Sequence, residues 1–344
     1  MKSNYDILGN HIRLIDTRNR ESITDRVLGI NIDKFFMPSV ANVIGTDLSK
    51  YKLITKGKFA CNPMHVGRDE RLPVALYDEE EPAIVSPAYF MFEVVDNSIL
   101  NEDYLMMWFR RPEFDRICWL HTDGSVRGGI TWDDICRLEL PIPPIEKQLE
   151  IVNSYKAITE RIALKQKIND NLDDTAQTLY QKYFESNSDK SSWKQGTVGD
   201  VLQLQRGHDL PRTEMTGGKY PVAGSTGTIG YHDEFTAEAP VIVMGRSGNI
   251  GNPRLYLCNC WTHNTSLYVK QIYEAEPLWV FYLLKNLNYD GFVGGSAVPT
   301  LNRNDVHAYG IAIPPLELQK SFSQKVMSLI YCKEENLSEI EKLQ

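Results

Sequence analysis

The sequence predicts an α+β fold built twice: two globular α/β domains, each followed by a long α-helix, the two helices pairing as a coiled coil in a pseudo-two-fold internal repeat. Three observations predict it. A 25-residue segment, GSVRGGITWDDICRLELPIPPIEKQ at 124–148, recurs at 295–319 as GSAVPTLNRNDVHAYGIAIPPLELQ, without a gap and at a fixed offset of 171. Each copy runs into an amphipathic helical pattern, and each is preceded by short β-like runs, Gly-rich turns and an aromatic, apolar stretch. A period this long marks two homologous halves, not a solenoid repeat of roughly 20–50 residues. At 344 residues the chain is comfortable as two domains.

In chain order, residues 1–143 form the first globular domain, with the run Ile84–Val94 reading as strand and Tyr104–Phe109 as the aromatic stretch of its helix. Eight of the 25 repeat positions are identical: Gly124/Gly295, Ser125/Ser296, Asp134/Asp305, Ile142/Ile313, Pro143/Pro314, Pro144/Pro315, Glu146/Glu317 and Gln148/Gln319. Ile130/Leu301, Ile135/Val306 and Ile145/Leu316 are conservative pairs. From 144 to 186 the apolar residues fall at 145, 149, 152, 155, 158 and 162, then 168, 172, 176, 179 and 183, steps of three and four interrupted only at the polar 163–167 segment. Some 40 helical residues make a rod about 60 Å long. Pro144 suits a first helical turn, and Glu146 sits near the positive end of the helix dipole. Residues 187–192 are a polar linker, and residues 193–313 form the second globular domain, with Pro240–Met244 as a strand and Leu278–Leu284 as the aromatic stretch. The second helix, 314–344, is shorter. The expected seam is Ile145, Leu149, Val152, Ile158, Ile162, Leu172 and Leu179 on the first helix, with Leu316, Val326, Leu329, Leu337 and Ile340 on the second. The alternative is that each helix packs only on its own globular domain.

Composition narrows the function. No stretch approaches the roughly 18–20 apolar residues of a membrane span, and the start lacks a signal-peptide core, so no membrane is expected. Six scattered cysteines suit a reducing cytoplasm. Cys258 and Cys260 with His263 are half a metal site at most, since no second pair stands at ligand spacing, and no metal is expected. The net charge of −8 argues against nucleic acid at first sight, yet 1–143 carries 17 basic and 22 acidic residues and 193–315 carries 9 and 10, with much of the acid in the run 78–81. Binding depends on local patches rather than the sum.

Catalytic patterns are missing. There is no phosphate loop; Gly245-Arg-Ser-Gly-Asn-Ile-Gly251 does not fit the dinucleotide fingerprint; and neither H-E-x-x-H nor G-x-S-x-G occurs. His208 and His263 read more simply as hydrogen-bonding loop residues than as bases. What remains is a binding protein. Its second half offers Gly-framed polar tips carrying Arg206, His208, Arg212, Lys219, Ser225, Thr226, Arg246, Asn249, His263, Asn264 and, further on, Arg303; its first half offers Arg18, Arg20, Lys58, Arg68 and Arg71. These side chains suit DNA: Arg on guanine, Asn on adenine, Ser and Thr on phosphate. Singly, an Arg of the first half reads more simply as solvated surface; the clusters carry the reading.

A globular domain ending in Ile142-Pro-Pro-Ile-Glu-Lys-Gln148 or Ile313-Pro-Pro-Leu-Glu-Leu-Gln319, followed by a long helix and occurring twice, resembles the specificity (S) subunit of type I restriction–modification enzymes. Tyr220–Gly230 and Gly245–Gly251 look like that family's target recognition domains. The resemblance implies that each domain reads one half of a split, asymmetric double-stranded DNA target and that antiparallel helices set the spacing between the half-sites. It also implies that the helices dock two modification subunits, which bring S-adenosylmethionine and methylate adenine. Restriction subunits, with ATP and Mg2+, would join for translocation and cleavage, and this chain would hold no cofactor or catalytic residue. Val66-Gly-Arg68 is the expected first-half counterpart of the Gly-Arg-x-Gly loop, and the shorter second helix is a departure expected to bear on docking. A two-domain protein–protein adaptor is the alternative from another class.

Overall fold

The computed structural model describes residues 4–40, 43, 45–64, 66–122, 128–289, 293–294 and 300–344. The first two identities of the repeat, Gly124/Gly295 and Ser125/Ser296, lie outside them. The chain resolves into two compact units, Met1–Glu160 and Arg161–Gln344.

In the first unit the strands are β1 (Tyr5–Ile7), β2 (Ile12–Ile15), β3 (Val27–Ile30), β4 (Phe36–Pro38), β5 (Lys52–Ile54), β6 (Phe59–Cys61), β7 (Val74–Leu76), β8 (Ala83–Val85), β9 (Phe90–Val94) and β10 (Glu139–Pro141). The helices are α1 (Val66–Asp69), α2 (Glu102–Phe109), α3 (Pro112–Leu120), α4 (Trp132–Cys136) and the start of α5 (Ile145–Tyr180). Two four-stranded sheets, β2-β9-β6-β7 and β4-β3-β8-β5, and the pair β1-β10 make up the β structure. The run Ile84–Val94 is two strands, because Ser86-Pro87-Ala88 turns the chain and Pro87 has no N–H for a ladder. α2 exists where Asn101 caps it, its side chain accepting the Tyr104 N–H at 3.1 Å, and Leu105, Met106, Trp108 and Phe109 turn inward. α3, starting at Pro112, is a helix without a counterpart among the described residues of the second half; Phe109, Phe114 and Trp108 pack with tilted rings in the core it covers.

The second unit repeats the plan with β11 (Lys194–Thr197), β12 (Leu202–Arg206), β13 (Tyr220–Gly224), β14 (Gly227–His232), β15 (Val241–Gly245), β16 (Gly251–Tyr256), β17 (Trp261–Thr262), β18 (Ser266–Ile272), β19 (Val293–Gly294), β20 (Thr300–Leu301) and β21 (Gly310–Ile313). Its helices are α6 (Pro277–Asn286), α7 (Arg303–His307) and α8 (Leu316–Leu343), with α5 entering from the first unit and ending in a wider turn at Gln181–Glu185. The sheet β12-β18-β15-β16 has the strand order of β2-β9-β6-β7, β14-β13-β17 reproduces β4-β3-β8, and β11-β21 reproduces β1-β10. Backbone hydrogen bonds recur as well. Leu8 N–H to Leu138 O (2.7 Å) matches Val198 to Tyr309 (2.9 Å), and Val95 to His11 (2.8 Å) matches Tyr273 to Val201 (2.8 Å).

Gln148 and Gln319 explain why the repeat ends as it does. Both are buried. The Asn101 N–H donates to Gln148 Oε1 at 3.0 Å and the Glu276 N–H donates to Gln319 Oε1 at 2.9 Å. The same side chains donate from Nε2 to Pro143 O at 2.7 Å and Pro314 O at 2.8 Å. Each long helix is thus pinned to the N-terminus of its own domain's aromatic helix, where an orphan N–H needs an acceptor.

Within the second unit, α5 and α8 run antiparallel: Arg161 pairs with Glu339 (2.9 Å), Lys333 with Asp173 (2.6 Å), and Tyr183 meets Lys325. Ala176, Tyr180, Phe184, Phe322 and Val326 join the helices to the core of the globular domain, so the seam and the domain share one core rather than offering alternatives. The polar break at 163–167 has a physical cause. Lys165 donates to Asn336 Oδ1 and pairs with Glu339, each at 2.9 Å, and Asn336 donates to Asn169 at 2.9 Å, a polar layer within the seam. Among the expected seam residues Val152, Val326 and Ile340 are buried, and Ile145, Ile162, Leu172, Leu179 and Leu329 are half-buried. Leu149, Ile158, Leu316 and Leu337 are exposed.

Candidate nucleic-acid interface

Strands β12 and β15 both pair antiparallel with β18, so they point the same way; β13 and β17 are parallel to each other. The loops leaving all four strands meet at one edge. The Arg246 N–H donates to Thr265 O (3.0 Å), the Ser225 N–H to Thr265 Oγ1 (3.3 Å), Asn249 Nδ2 to Ser225 O (3.0 Å) and the His263 N–H to Ala223 O (2.9 Å). Two glycines permit this closeness: a Cβ on Gly207 would stand 2.1 Å from His263 O and one on Gly245 1.5 Å from Asn249 O. The structure therefore brings together Arg206, Ser225, Arg246, Asn249, His263 and Asn264, with exposed Thr226 at the tip of the β13–β14 turn. Arg212 joins them across a cavity of about 450 Å³ lined also by Ser225, His263 and Asn264.

His263 is held in one tautomer: Nδ1 accepts from Thr265 (Oγ1 at 2.9 Å) and Nε2 donates to Leu210 O at 3.2 Å, which makes it a loop-building residue. His208 packs its ring against Trp261 and Tyr268, each 6.2 Å away, and its N–H donates to Thr262 O, so it shapes the same edge from within. The structure places two further expected residues as follows. Lys219 stands 5.3 Å over the Tyr220 ring at the opposite end of β13, and Arg303 is an exposed residue in the first turn of α7.

The first unit presents the corresponding loops after β2, β3, β6 and β8. The Ile130 N–H donates to Pro63 O (3.1 Å) as the Leu301 N–H donates to Arg246 O (2.8 Å), which equates the β6–β7 connection with the Gly-Arg-x-Gly loop. Val66-Gly-Arg68, the expected counterpart, lies inside that connection as α1. Arg68 pairs with Asp69 (2.6 Å), and Arg71 reaches Asp33 in the β3–β4 turn (2.9 Å), the tie that Asn249 and Ser225 make in the second unit. Arg18 and exposed Arg20 follow β2; Arg18 pairs with Asp16 (2.7 Å) and donates to Lys50 O (2.7 Å). Lys58 sits at the far end of β6 from this edge, where the buried carboxylate of Glu93 requires a counter-charge.

Three features escaped the sequence reading. Asp209 pairs with Arg206 (2.9 Å) and accepts from Asn264 in the middle of the loop cluster. Lys34, at a left-handed φ of 67°, buries its ammonium against Asp115 (2.8 Å). Burial pulls its pKa below the usual lysine range, opposed by Asp115. The glutamine pins were visible as identities in the repeat, but not their partners. Among the described residues no group of three or more His, Cys, Asp or Glu stands ready for a metal, and no helix is long and apolar enough to cross a membrane.

Residues 190–342 match the type I restriction modification DNA specificity domain. A 22% identity over 137 residues links the chain to the EcoprrI type I specificity subunit of Escherichia coli, covering 38% of this chain and 34% of that one, so the match spans about a third of that relative. The chain is 21% identical over 385 aligned positions to a protein of Methanocaldococcus jannaschii described provisionally as the specificity subunit of the MjaX type I restriction enzyme, covering 99% of this chain and 86% of the relative. The crystal structure of the type I S subunit from M. genitalium superposes with a TM-score of 0.65 at 16% identity, over 98% of this chain and 92% of that one, which shows a shared fold. The second half thus carries a type I restriction–modification DNA specificity domain, the first half rebuilds the same frame, and the relatives the chain resembles are described as specificity subunits of type I restriction enzymes.

Proposed function

We propose that the chain reads a bipartite, asymmetric double-stranded DNA target, one half-site per globular domain, and so directs adenine methylation and ATP-dependent cleavage by partner subunits. The observation that carries this is the convergence, at one sheet edge, of loops bearing Arg206, Ser225, Arg246, Asn249 and Asn264, with Arg18, Arg20, Arg68 and Arg71 on the equivalent loops of the first unit. Such an edge offers guanidinium and amide forks to bases and backbone N–H groups to phosphates. The α5–α8 pair would set the spacer, and its outward apolar residues, among them Leu149, Ile158 and Leu337, would dock two modification subunits. S-adenosylmethionine, ATP and Mg2+ belong on the modification and restriction subunits in this reading. Domain limits of 1–143 and 193–313, joined through 144–186 and the 187–192 linker and closed by 314–344, describe the same division of labour. Methylation sequencing of DNA from cells co-expressing this chain with a modification subunit tests it. A split, adenine-methylated motif that vanishes without this chain is the expected result; a co-purifying complex with no motif favours a protein adaptor.

A further inference from the structure

An acidic side chain stands where DNA is expected. A carboxylate beside a polyanion opposes binding unless it does something that offsets the repulsion. Asp209 has two candidate tasks: accepting a hydrogen bond from a base amino group, or holding other readers in place. Its geometry separates them. Arg206 Nη2 donates to Oδ1 at 2.9 Å and Nη1 to Oδ2 at 3.4 Å, a two-pronged pair, and Asn264 Nδ2 donates to Oδ1 as well. Both oxygens are already engaged by the two side chains best suited to reading purines.

The backbone beneath Asn264 is fixed from both sides. The His263 N–H donates to Ala223 O (2.9 Å), Thr265 O accepts from the Arg246 N–H (3.0 Å), and the His263 ring is held between Thr265 and Leu210. What the loop leaves free is the Asn264 side chain, whose amide can turn over. An oxygen facing Asp209 would set two acceptors against each other, so the carboxylate selects the orientation with nitrogen inward and the carbonyl outward. Adenine is read by an amide that offers one N–H and one C=O in a set order. Asp209 is held ionised for this, its carboxyl kept below the usual range first by Asn264 and then by Arg206.

Resting on the DNA-reading function proposed above, we propose that Asp209 is the positioning residue of the second recognition domain: it contacts no base but fixes the Asn264 amide and the Arg206 guanidinium in the orientations that discriminate the second half-site.

The test uses the assembled complex of this chain with its modification subunit, on duplexes carrying the split motif found by methylation sequencing, with each base pair of either half-site changed in turn. Asp209→Ala is expected to lower discrimination at the second half-site by about 5- to 150-fold, the range of one lost bidentate contact. Affinity for non-specific DNA should hold or rise, since a negative charge beside the phosphates is gone. A residue that merely stabilised the loop would lower both together. The relaxed base pairs should be those relaxed by Asn264→Ala or Arg206→Ala, and Asp209→Ala/Asn264→Ala should lose less than the sum of its parts. Asp209→Asn, which keeps the shape and one acceptor, should fall between parent and alanine variant, and it carries the test should the alanine variant not assemble. Unchanged discrimination in both variants overturns the inference, as does relaxation at a base pair that Asn264→Ala and Arg206→Ala leave alone, which would make Asp209 a reader itself. A parent complex that discriminates nothing overturns the DNA-reading function instead, and is seen before any variant is made.

Discussion

Replacing Gln319 by alanine removes two hydrogen bonds, a half-buried one from the Glu276 N–H and a buried one to the Pro314 C=O, at the junction of α6 and α8. The half-buried bond is worth about 1 kcal/mol net, and the buried Pro314 carbonyl left unpaired costs about 1–3 kcal/mol, so the loss should be about 2–4 kcal/mol. Gln148 makes the same two bonds and a third, to Ile99 O at 2.8 Å, so Gln148→Ala should cost about 1 kcal/mol more. Glutamate is the informative control. In Gln319→Glu one oxygen still accepts from Glu276, but the other faces Pro314 O, and that contact is satisfied only when the carboxyl is protonated. Its folded-state pKa is therefore raised, so the variant is most stable in acid and loses that stability as pH rises through the raised pKa. Calorimetric unfolding of the purified chain is the assay. For a unit of this size about 1 kcal/mol moves Tm by about 2–4 °C, so the transition of the second half should fall by about 4–16 °C in Gln319→Ala. Gln148→Ala should act on the first half. Alanine variants melting within about 1 °C of the parent, or a Gln319→Glu variant indifferent to pH, would refute the role of the pin.

Arg246→Ala should weaken specific binding by about 1–3 kcal/mol while leaving melting nearly unchanged, because among the described residues Arg246 makes only a marginal side-chain contact, to Asn264 O at 3.5 Å. Discrimination between cognate and scrambled duplexes that is unchanged by the substitution would remove it from the readers. Inserting one helical turn within 163–167 should alter the spacer of the methylated motif and leave both half-sequences intact; an unaltered spacer would refute the ruler. His307 accepts the Leu204 N–H at Nε2 (2.8 Å), and burial, with Arg303 next, pushes its pKa below the usual histidine range. Its contribution is present above about pH 6.5 and is lost as pH falls from there through the depressed folded value, so His307→Gln should flatten that limb of the stability–pH curve.

The fold was legible because its signals were long or duplicated. A helical stripe of some 40 residues and two Ile-Pro-Pro segments at one offset specify helix, start and partner almost without tertiary knowledge. The first aromatic stretch likewise marked α2, but α3 did not announce itself, since its buried residues Phe114 and Cys118 are too few to set a period. The break at 163–167 shows the limit from the other side. Periodicity registers a polar stretch as a loss of signal, whereas Lys165 is there to meet Asn336 and Glu339 across the seam. Only the position of a second helix distinguishes a gap from a polar layer.

Site residues were harder, and the reason lies in how charge is used. Lys58 and Arg206 look alike in sequence, each a basic residue near a strand end. Lys58 neutralises Glu93, 35 positions away, and is consumed by the sheet; Arg206 meets Asp209 three residues on and stays at the loop edge. No local pattern separates these cases, because the deciding carboxylate is placed by strand pairing. The two halves show the same division. Leu8/Val198, Gln148/Gln319 and the Pro63/Arg246 carbonyls occupy equivalent backbone positions, where hydrogen-bond geometry admits few alternatives. The tips differ: the Arg71–Asp33 ion pair on one side does the bracing that an Asn249–Ser225 hydrogen bond does on the other. A frame whose contacts are internal constrains the residues that make it, whereas a tip is constrained by what it touches outside. Two like frames carrying unlike tips therefore suit the proposed reading of two different half-sites with one architecture.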